Sequence, residues 1–149
     1  MWFFYSPSHC VGIFFAKGEN MQLTLIKNTD TSAPLAYRIA RTVHEQTGAS
    51  SLQVVEAMTS MIKNITDKYQ RDISDVISDK TLFPNEKTDC VPASSRSFQM
   101  CVRVAQHMLC GGLQDACCGA TRFHHADVIP DWAIARGYIA DIDGILFYL

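Results

Sequence analysis

Glu45 is the side chain whose position best suits acid–base chemistry. It lies near the end of Leu35–Gly48, where Leu35, Ile39 and Val43 recur every four residues, and this spacing predicts a helix with one apolar stripe. Carbonyl groups at the C-terminal end of a helix disfavour an ionised carboxylate, and apolar cover acts in the same direction. We therefore expect a raised pKa for Glu45, as in a general acid that protonates a glycosidic leaving group. The alternative is a solvated surface carboxylate, the commoner role of glutamate.

Adjacent histidines and cysteines suggest two other kinds of chemistry. His124-His125 and Cys117-Cys118 contain metal-ligating side chains, but their spacing matches no familiar zinc motif, and neighbouring residues of a strand point to opposite faces. The sequence therefore predicts no metal site and no cofactor. A Cys–His nucleophile stays open, because no spacing selects one pair among six cysteines and five histidines.

The elements that position these residues follow from periodicity and capping residues. Helices are predicted over residues 35–48, from a cap at Ser50 or Ser51 to Tyr69, over 72–79 and over 98–110. After Gly119 the pattern becomes extended, and Asp143-Gly144 between two apolar runs is a strong hairpin signal. The sum is an α+β domain with three or four helices, which form a helical core, and a small C-terminal β wing.

Composition limits the classes of protein that the chain can belong to. A chain of 149 residues, with 48% hydrophobic and 19% charged residues, fits one globular domain. A net charge of −2 gives no reason to expect nucleic acid as a partner. Residues 1–30 are interpreted as an N-terminal arm or a degenerate export signal, too short in its apolar part for a membrane span, and residues 31–149 as the domain. Met21 is an alternative start.

An even number of cysteines is typical of an exported protein with disulfides. Cys117 and Cys118 are adjacent in the chain and are not expected to pair with each other. A bridge between Cys90 and Cys101 is one candidate pairing, although sequence alone does not fix the connectivity.

Three blocks in the C-terminal third carry a family resemblance: GATRFHH at 119–125, VIPDWA at 128–133 and IDGILFY at 142–148. They resemble the G-A-T-x-[FY], P-x-W-A and I-G-x-H-x-F-Y stretches of the SleB-like cell wall hydrolases. Earlier in the chain, ARTVHEQTGA at 40–49 resembles the family's A-R-x-[VI]-Y-x-E-A-R-G-E signature. FPN at 83–85, followed by Cys90-Val91, resembles its [FW]-P-N-x-V-C block. The blocks follow the family's order and cover residues 35–149.

This resemblance implies a lysozyme-like fold and cleavage of the β-1,4 bond after N-acetylmuramic acid in peptidoglycan. Members act as lytic transglycosylases, in which one glutamate is first acid and then base, and the muramic 6-hydroxyl is the nucleophile. The matching glutamate is Glu45. Residues that would shape or line the glycan groove are Gly48, Thr121, Phe123, His124 and Trp132. The implied partner is the peptidoglycan glycan strand. The resemblance also implies that the protein acts in the cell envelope or is a phage-encoded lysin.

Aromatic side chains near the C-terminus have two interpretations. Phe123, Trp132 and Tyr148 could stack on sugar rings, or they could pack inside the β wing. His124 is likewise expected either to line the groove or to bond to backbone.

The chain also departs from the family pattern. Thr47 and Ala49 replace the family's arginine and second glutamate, and Ile145 replaces the histidine of its final block. No second Asp or Glu stands out as a partner of Glu45, which favours a transglycosylase over a hydrolase with two carboxylates. The departures favour an alternative, a peptidoglycan-binding or assembly protein that keeps the fold without turnover.

Overall fold

The computed structural model describes residues 32–84 and 92–149. The interpretations of residues 1–30 and of Met21 lie outside this range, and so does Cys90. Within it, the helices are α1 (Ser32–Thr47), α2 (Leu52–Tyr69), α3 (Ile73–Ile77) and α4 (Arg96–Leu109). All four coincide with predicted helical segments.

Capping residues explain where these helices begin and end. Gly48 adopts φ +66° immediately after α1, a left-handed conformation that glycine adopts without strain. Ser51 caps α2 by accepting a hydrogen bond from the Val54 amide, as predicted for this serine. Helix α4 begins at Arg96, two residues before the predicted start, because Ser95 accepts from the Phe98 amide and caps it.

Helix α2 lies at the centre of the core. Nine of its residues are buried, so apolar contact is made around most of its circumference, as expected of a helix enclosed by other elements. Helix α1 packs mainly against α4, and α2 contacts both. The amphipathic stripe predicted for α1 is confirmed, since Ile39 and Val43 are buried in this core.

The C-terminal part forms a three-stranded antiparallel sheet in the order β1-β3-β2. Its strands are β1 (Arg122–His125), β2 (Ala140–Ile142) and β3 (Ile145–Tyr148), and a short 3₁₀ helix covers Asp131–Ala133. The predicted hairpin turn is confirmed: Asp143 and Gly144 have φ values of +53° and +77°, as a two-residue type I′ turn requires. The molecule is therefore α+β, with a helical core and a small C-terminal sheet.

The predicted Cys90–Cys101 bridge is wrong. Cys101 is a free thiol that α4 turns into the apolar core, where it is 1% exposed. Burial raises the pKa of this thiol to about 12. Cys110, at the C-terminal end of α4, forms a disulfide.

None of the helices within residues 32–84 and 92–149 combines the length and the apolar character that crossing a membrane requires.

Candidate functional site

One cavity, of about 660 Å³, is lined by the C-terminal end of α1, residues 81–84, strand β1 and the segment that follows it. This volume is typical of a small-ligand site. All six residues predicted for the site line it: Glu45, Gly48, Thr121, Phe123, His124 and Trp132. Residues far apart in the sequence are therefore brought together at a single concave surface.

Glu45 faces this cavity from the end of α1, where burial and hydrogen bonds hold the residues on either side of it. Val43 and Gln46 are buried, whereas Glu45 is half-buried. Thr47 donates from Oγ1 to the Val43 carbonyl (2.7 Å) and accepts from the Ala49 amide (3.0 Å). Thr47 thus closes the end of the helix.

His44, which does not line the cavity, anchors α1 to α4. Its Nε2 lies 3.1 Å from Ser97 Oγ, and its ring packs against Phe98 at 6.3 Å between centroids. Burial lowers the pKa of His44, and the neighbouring charge of Glu45 acts in the opposite direction. The residue beside the candidate acid is therefore tied to α4.

His124 on β1 is held by hydrogen bonds at both ring nitrogens. Nδ1 lies 2.7 Å from the His125 carbonyl oxygen, and Nε2 lies 2.9 Å from Tyr148 Oη. Because a carbonyl oxygen only accepts, Nδ1 carries the proton of the neutral ring, and Nε2 accepts from the tyrosine hydroxyl. His124 therefore meets both expectations, since it lines the cavity and bonds to backbone.

An aromatic cluster surrounds this histidine. The ring of Tyr148 stacks on His124 at 5.3 Å, and Trp132 meets both rings edge-on at 5.2 and 5.8 Å. Tyr148 is 4% exposed and belongs to the packing of the sheet, whereas the half-buried Trp132 reaches the cavity. Of the two interpretations of the aromatic residues, packing therefore applies to Tyr148, and Trp132 stays available to a ligand.

Phe123 and Thr121 contribute to the cavity from within the core. Phe123 is 9% exposed and packs against Phe83 at 6.0 Å. Thr121 is 3% exposed, and its amide donates to the Tyr148 carbonyl at 2.8 Å. These two residues fix the base of β1 and offer little of their own surface to a ligand.

Three cavity residues with ionisable side chains were not predicted as site residues: Arg122, His125 and Asp127. Asp127 adds a second carboxylate to the cavity that contains Glu45, so the expectation that no second acid stands out needs correction. A signal was present in the sequence, because Asp127 directly follows an extended segment that carries other candidates. Asp127 lies in a turn in which the Val128 amide donates to the His125 carbonyl at 3.1 Å. This turn has no sequence motif of its own, so the position of Asp127 at the cavity was not predicted.

The described residues do not form the arrangement that a metal site or a Cys–His nucleophile in the cavity would need. Within residues 32–84 and 92–149, no group of three or more His, Cys, Asp or Glu is placed to hold a metal ion, and no cysteine of these ranges lines the cavity. Cys117 is buried and bonds through Sγ to Asp115 at 3.3 Å. Burial, reinforced by this carboxylate, raises the pKa of Cys117 to about 12.

Comparison of the chain with protein-family models, with curated proteins and with solved structures gives no match.

Proposed function

We propose that this chain cleaves the glycan strand of peptidoglycan as a lytic transglycosylase, with Glu45 as acid and then base. The proposal includes a lysozyme-like arrangement of the domain and action in the cell envelope or as a phage-encoded lysin. The observation that carries it is the cavity itself. Glu45, which lies near the end of α1 and matches the family signature, shares one cavity with Gly48 of the same block and with four residues of the separate C-terminal blocks, Thr121, Phe123, His124 and Trp132.

The chemistry would use one carboxyl group twice. Glu45 gives its proton to the glycosidic oxygen between N-acetylmuramic acid and N-acetylglucosamine, and the C1–O bond breaks as the N-acetylglucosamine hydroxyl leaves. The muramic 6-hydroxyl oxygen then bonds to C1, and its proton returns to Glu45. The nucleophile belongs to the same sugar, so its proximity replaces a bound water.

Asp127 offers a competing route through water. Glycosidases that use water normally need two carboxyl groups at a set separation, and both Glu45 and Asp127 line the cavity. The two routes give different products, because the internal route leaves a 1,6-anhydro end and hydrolysis leaves a reducing end.

A second candidate function is binding without turnover. Ile145, at the position of the family's histidine, is 3% exposed in the core, and Ala49 packs partly against the core. Apolar packing thus occupies two positions at which the family has polar groups. This favours a protein that holds glycan strands without cutting them.

Mass spectrometry of fragments released from purified sacculi tests these alternatives. We expect the unsubstituted chain to release 1,6-anhydromuramic products, and Glu45→Gln to lower release by about a hundredfold or more, since acid–base catalysis contributes about 10²–10⁴. The matched control is Glu56→Gln, a half-buried glutamate of α2 outside the cavity lining, which should retain full release.

Other outcomes separate the candidates. Reducing-end products that fall with Asp127→Asn would replace the transglycosylase with a hydrolase. Sacculus binding with no release by any variant would leave the non-enzymatic function.

A further inference from the structure

Arg122, the first residue of β1, places a guanidinium group at the wall of the cavity. Its Cζ lies 5.3 Å from the ring centroid of Trp132, and both residues line the cavity. Stacking on an indole restrains the planar guanidinium through its face. The guanidinium carries five N–H donors in its plane.

These donors have no protein acceptor in the part of the chain that the structure describes. Two other arginines in the same ranges do have such acceptors: Arg71 pairs with Asp79 at 3.1 Å, and Arg38 donates to Ser74 at 3.1 Å. For Arg122, the contact found within these ranges is the one with Trp132. A permanently charged, oriented group with free donors is suited to a carboxylate, which it can bind through two parallel hydrogen bonds.

The acidic residues of the cavity come from other positions in the chain than this cation. Glu45 belongs to α1, and Asp127 follows the C-terminal end of β1, whereas Arg122 is the first residue of β1. Because a strand rises roughly 3.3 Å per residue, the length of β1 separates Arg122 from the start of the Asp127 turn by roughly 10 Å. A ligand with one anionic group would therefore place its charge at Arg122, away from the turn that carries Asp127.

We propose that Arg122 determines substrate specificity by binding a carboxylate on the lactyl substituent of muramic acid. This inference rests on the proposed function. The carboxylate has two sources, the free lactyl group of a peptide-free glycan strand or a carboxylate of the stem peptide attached to that group. N-acetylglucosamine lacks the lactyl substituent, so Arg122 distinguishes a muramic acid glycan from an N-acetylglucosamine polymer of the same backbone.

Isothermal titration calorimetry with three tetrasaccharides tests this assignment. The ligands are tetra-N-acetylglucosamine, the peptide-free alternating N-acetylglucosamine–N-acetylmuramic acid tetramer, and the same tetramer with stem peptides. All proteins carry Glu45→Gln, so that the ligands are not consumed. Arg122→Gln and Arg122→Lys are compared with Arg103→Gln, an exposed arginine of α4 outside the cavity lining, and circular dichroism verifies the folding of each.

We expect Arg122→Gln to weaken binding of the peptide-free muramic acid tetramer by about tenfold or more, as for loss of a charge-assisted hydrogen bond. Binding of tetra-N-acetylglucosamine should stay unchanged, and Arg122→Lys should recover part of the loss. If the loss occurs only with the peptide-bearing tetramer, the carboxylate belongs to the stem peptide and the assignment of Arg122 stands.

Two results would overturn the inference. If Arg122→Gln weakens binding of all three ligands equally, Arg122 contributes to the cavity wall without recognising a carboxylate. If it weakens binding of none of them, Arg122 has no role in binding. In either case, anhydro-product release from sacculi by the unsubstituted chain would leave the proposed function intact. If the chain with Arg122 binds none of the ligands and releases nothing from sacculi, both proposals fail together.

Discussion

At the scale of single residues, the orientation of His124 depends on one phenolic hydroxyl. The ring is 8% exposed, so its nitrogens cannot rely on water. The Tyr148 hydroxyl supplies the donor for Nε2 at 2.9 Å. A buried acceptor that loses its donor costs more than the hydrogen bond itself was worth, because its desolvation is no longer compensated.

Tyr148→Phe should therefore lower the free energy of unfolding by about 1–3 kcal/mol, the usual cost of a buried polar group left without a partner. Urea denaturation at neutral pH measures it. Tyr138→Phe is the matched control, since Tyr138 is 56% exposed and should change stability by less than about 0.5 kcal/mol. Equal effects of the two substitutions would mean that the Tyr148 hydroxyl does not support His124.

At the scale of elements, Asp143 connects the β2–β3 hairpin to the beginning of α2. Its Oδ2 accepts from Ser51 Oγ at 2.6 Å and from Ser50 Oγ at 2.9 Å. Ser51 is also the residue that caps α2. One carboxylate thus fixes the turn of the sheet against the loop that follows α1.

These hydrogen bonds make the connection dependent on pH. The bond from Ser51, followed by that from Ser50, lowers the pKa of Asp143 below its ordinary value of 3.8. A carboxyl group with a lower pKa in the folded state contributes stability that is fully present above its unfolded-state pKa. That contribution is lost as the pH falls through the folded-state pKa.

Asp143→Asn should lower the thermal unfolding midpoint at pH 7, and the difference from the unsubstituted chain should shrink as the pH falls below about 4. Asparagine tolerates positive φ, so the turn itself is kept. Melting curves across this pH range, with Asp141→Asn on β2 as control, measure the effect. A difference that stays constant with pH would show that the charge of Asp143 is not involved.

Most elements could be predicted because their determinants are local. Gly48, Ser51 and the Asp143-Gly144 pair each fix a boundary or a turn through their own backbone preferences. The early start of α4 also has a local cause, the Ser95 cap. The burial of Cys101 as a free thiol has a different origin, since it depends on which way the face of α4 turns in the assembled core, and no short motif encodes that orientation.

At the scale of the whole molecule, the cavity joins two parts of the chain that are far apart in sequence. Glu45 and Gly48 lie at the end of α1 and the other four predicted residues lie in the C-terminal part of the chain, and the fold brings all six to one surface. The contact of Arg122 with Trp132 and the position of Asp127 were not predictable. They arise from the path of the segment after β1, which carries no regular periodicity.

A ligand that fills this cavity should stabilise the whole fold. With the Glu45→Gln protein and the alternating tetrasaccharide at about one hundred times its Kd, we expect about 2.7 kcal/mol of added stability, because the ligand binds the folded state alone. Thermal unfolding measures the shift. Hydrogen exchange should slow both at the end of α1 and along β1.

Maltotetraose, which lacks N-acetyl groups, serves as the control ligand and should leave both measurements unchanged. Slower exchange in only one of the two elements would contradict a site shared between them.

The strand order has a consequence for the sequence of events during folding. Within residues 32–84 and 92–149, strand β1 pairs with β3 alone, so it finds this partner only when the chain from Ala126 to Gly144 has closed on itself. The β2–β3 hairpin needs only a two-residue turn and should form first, whereas docking of β1 carries the larger entropic cost of loop closure. The wall that holds Arg122 and His124 would therefore be completed late, after a hairpin that contributes no residue to the cavity lining.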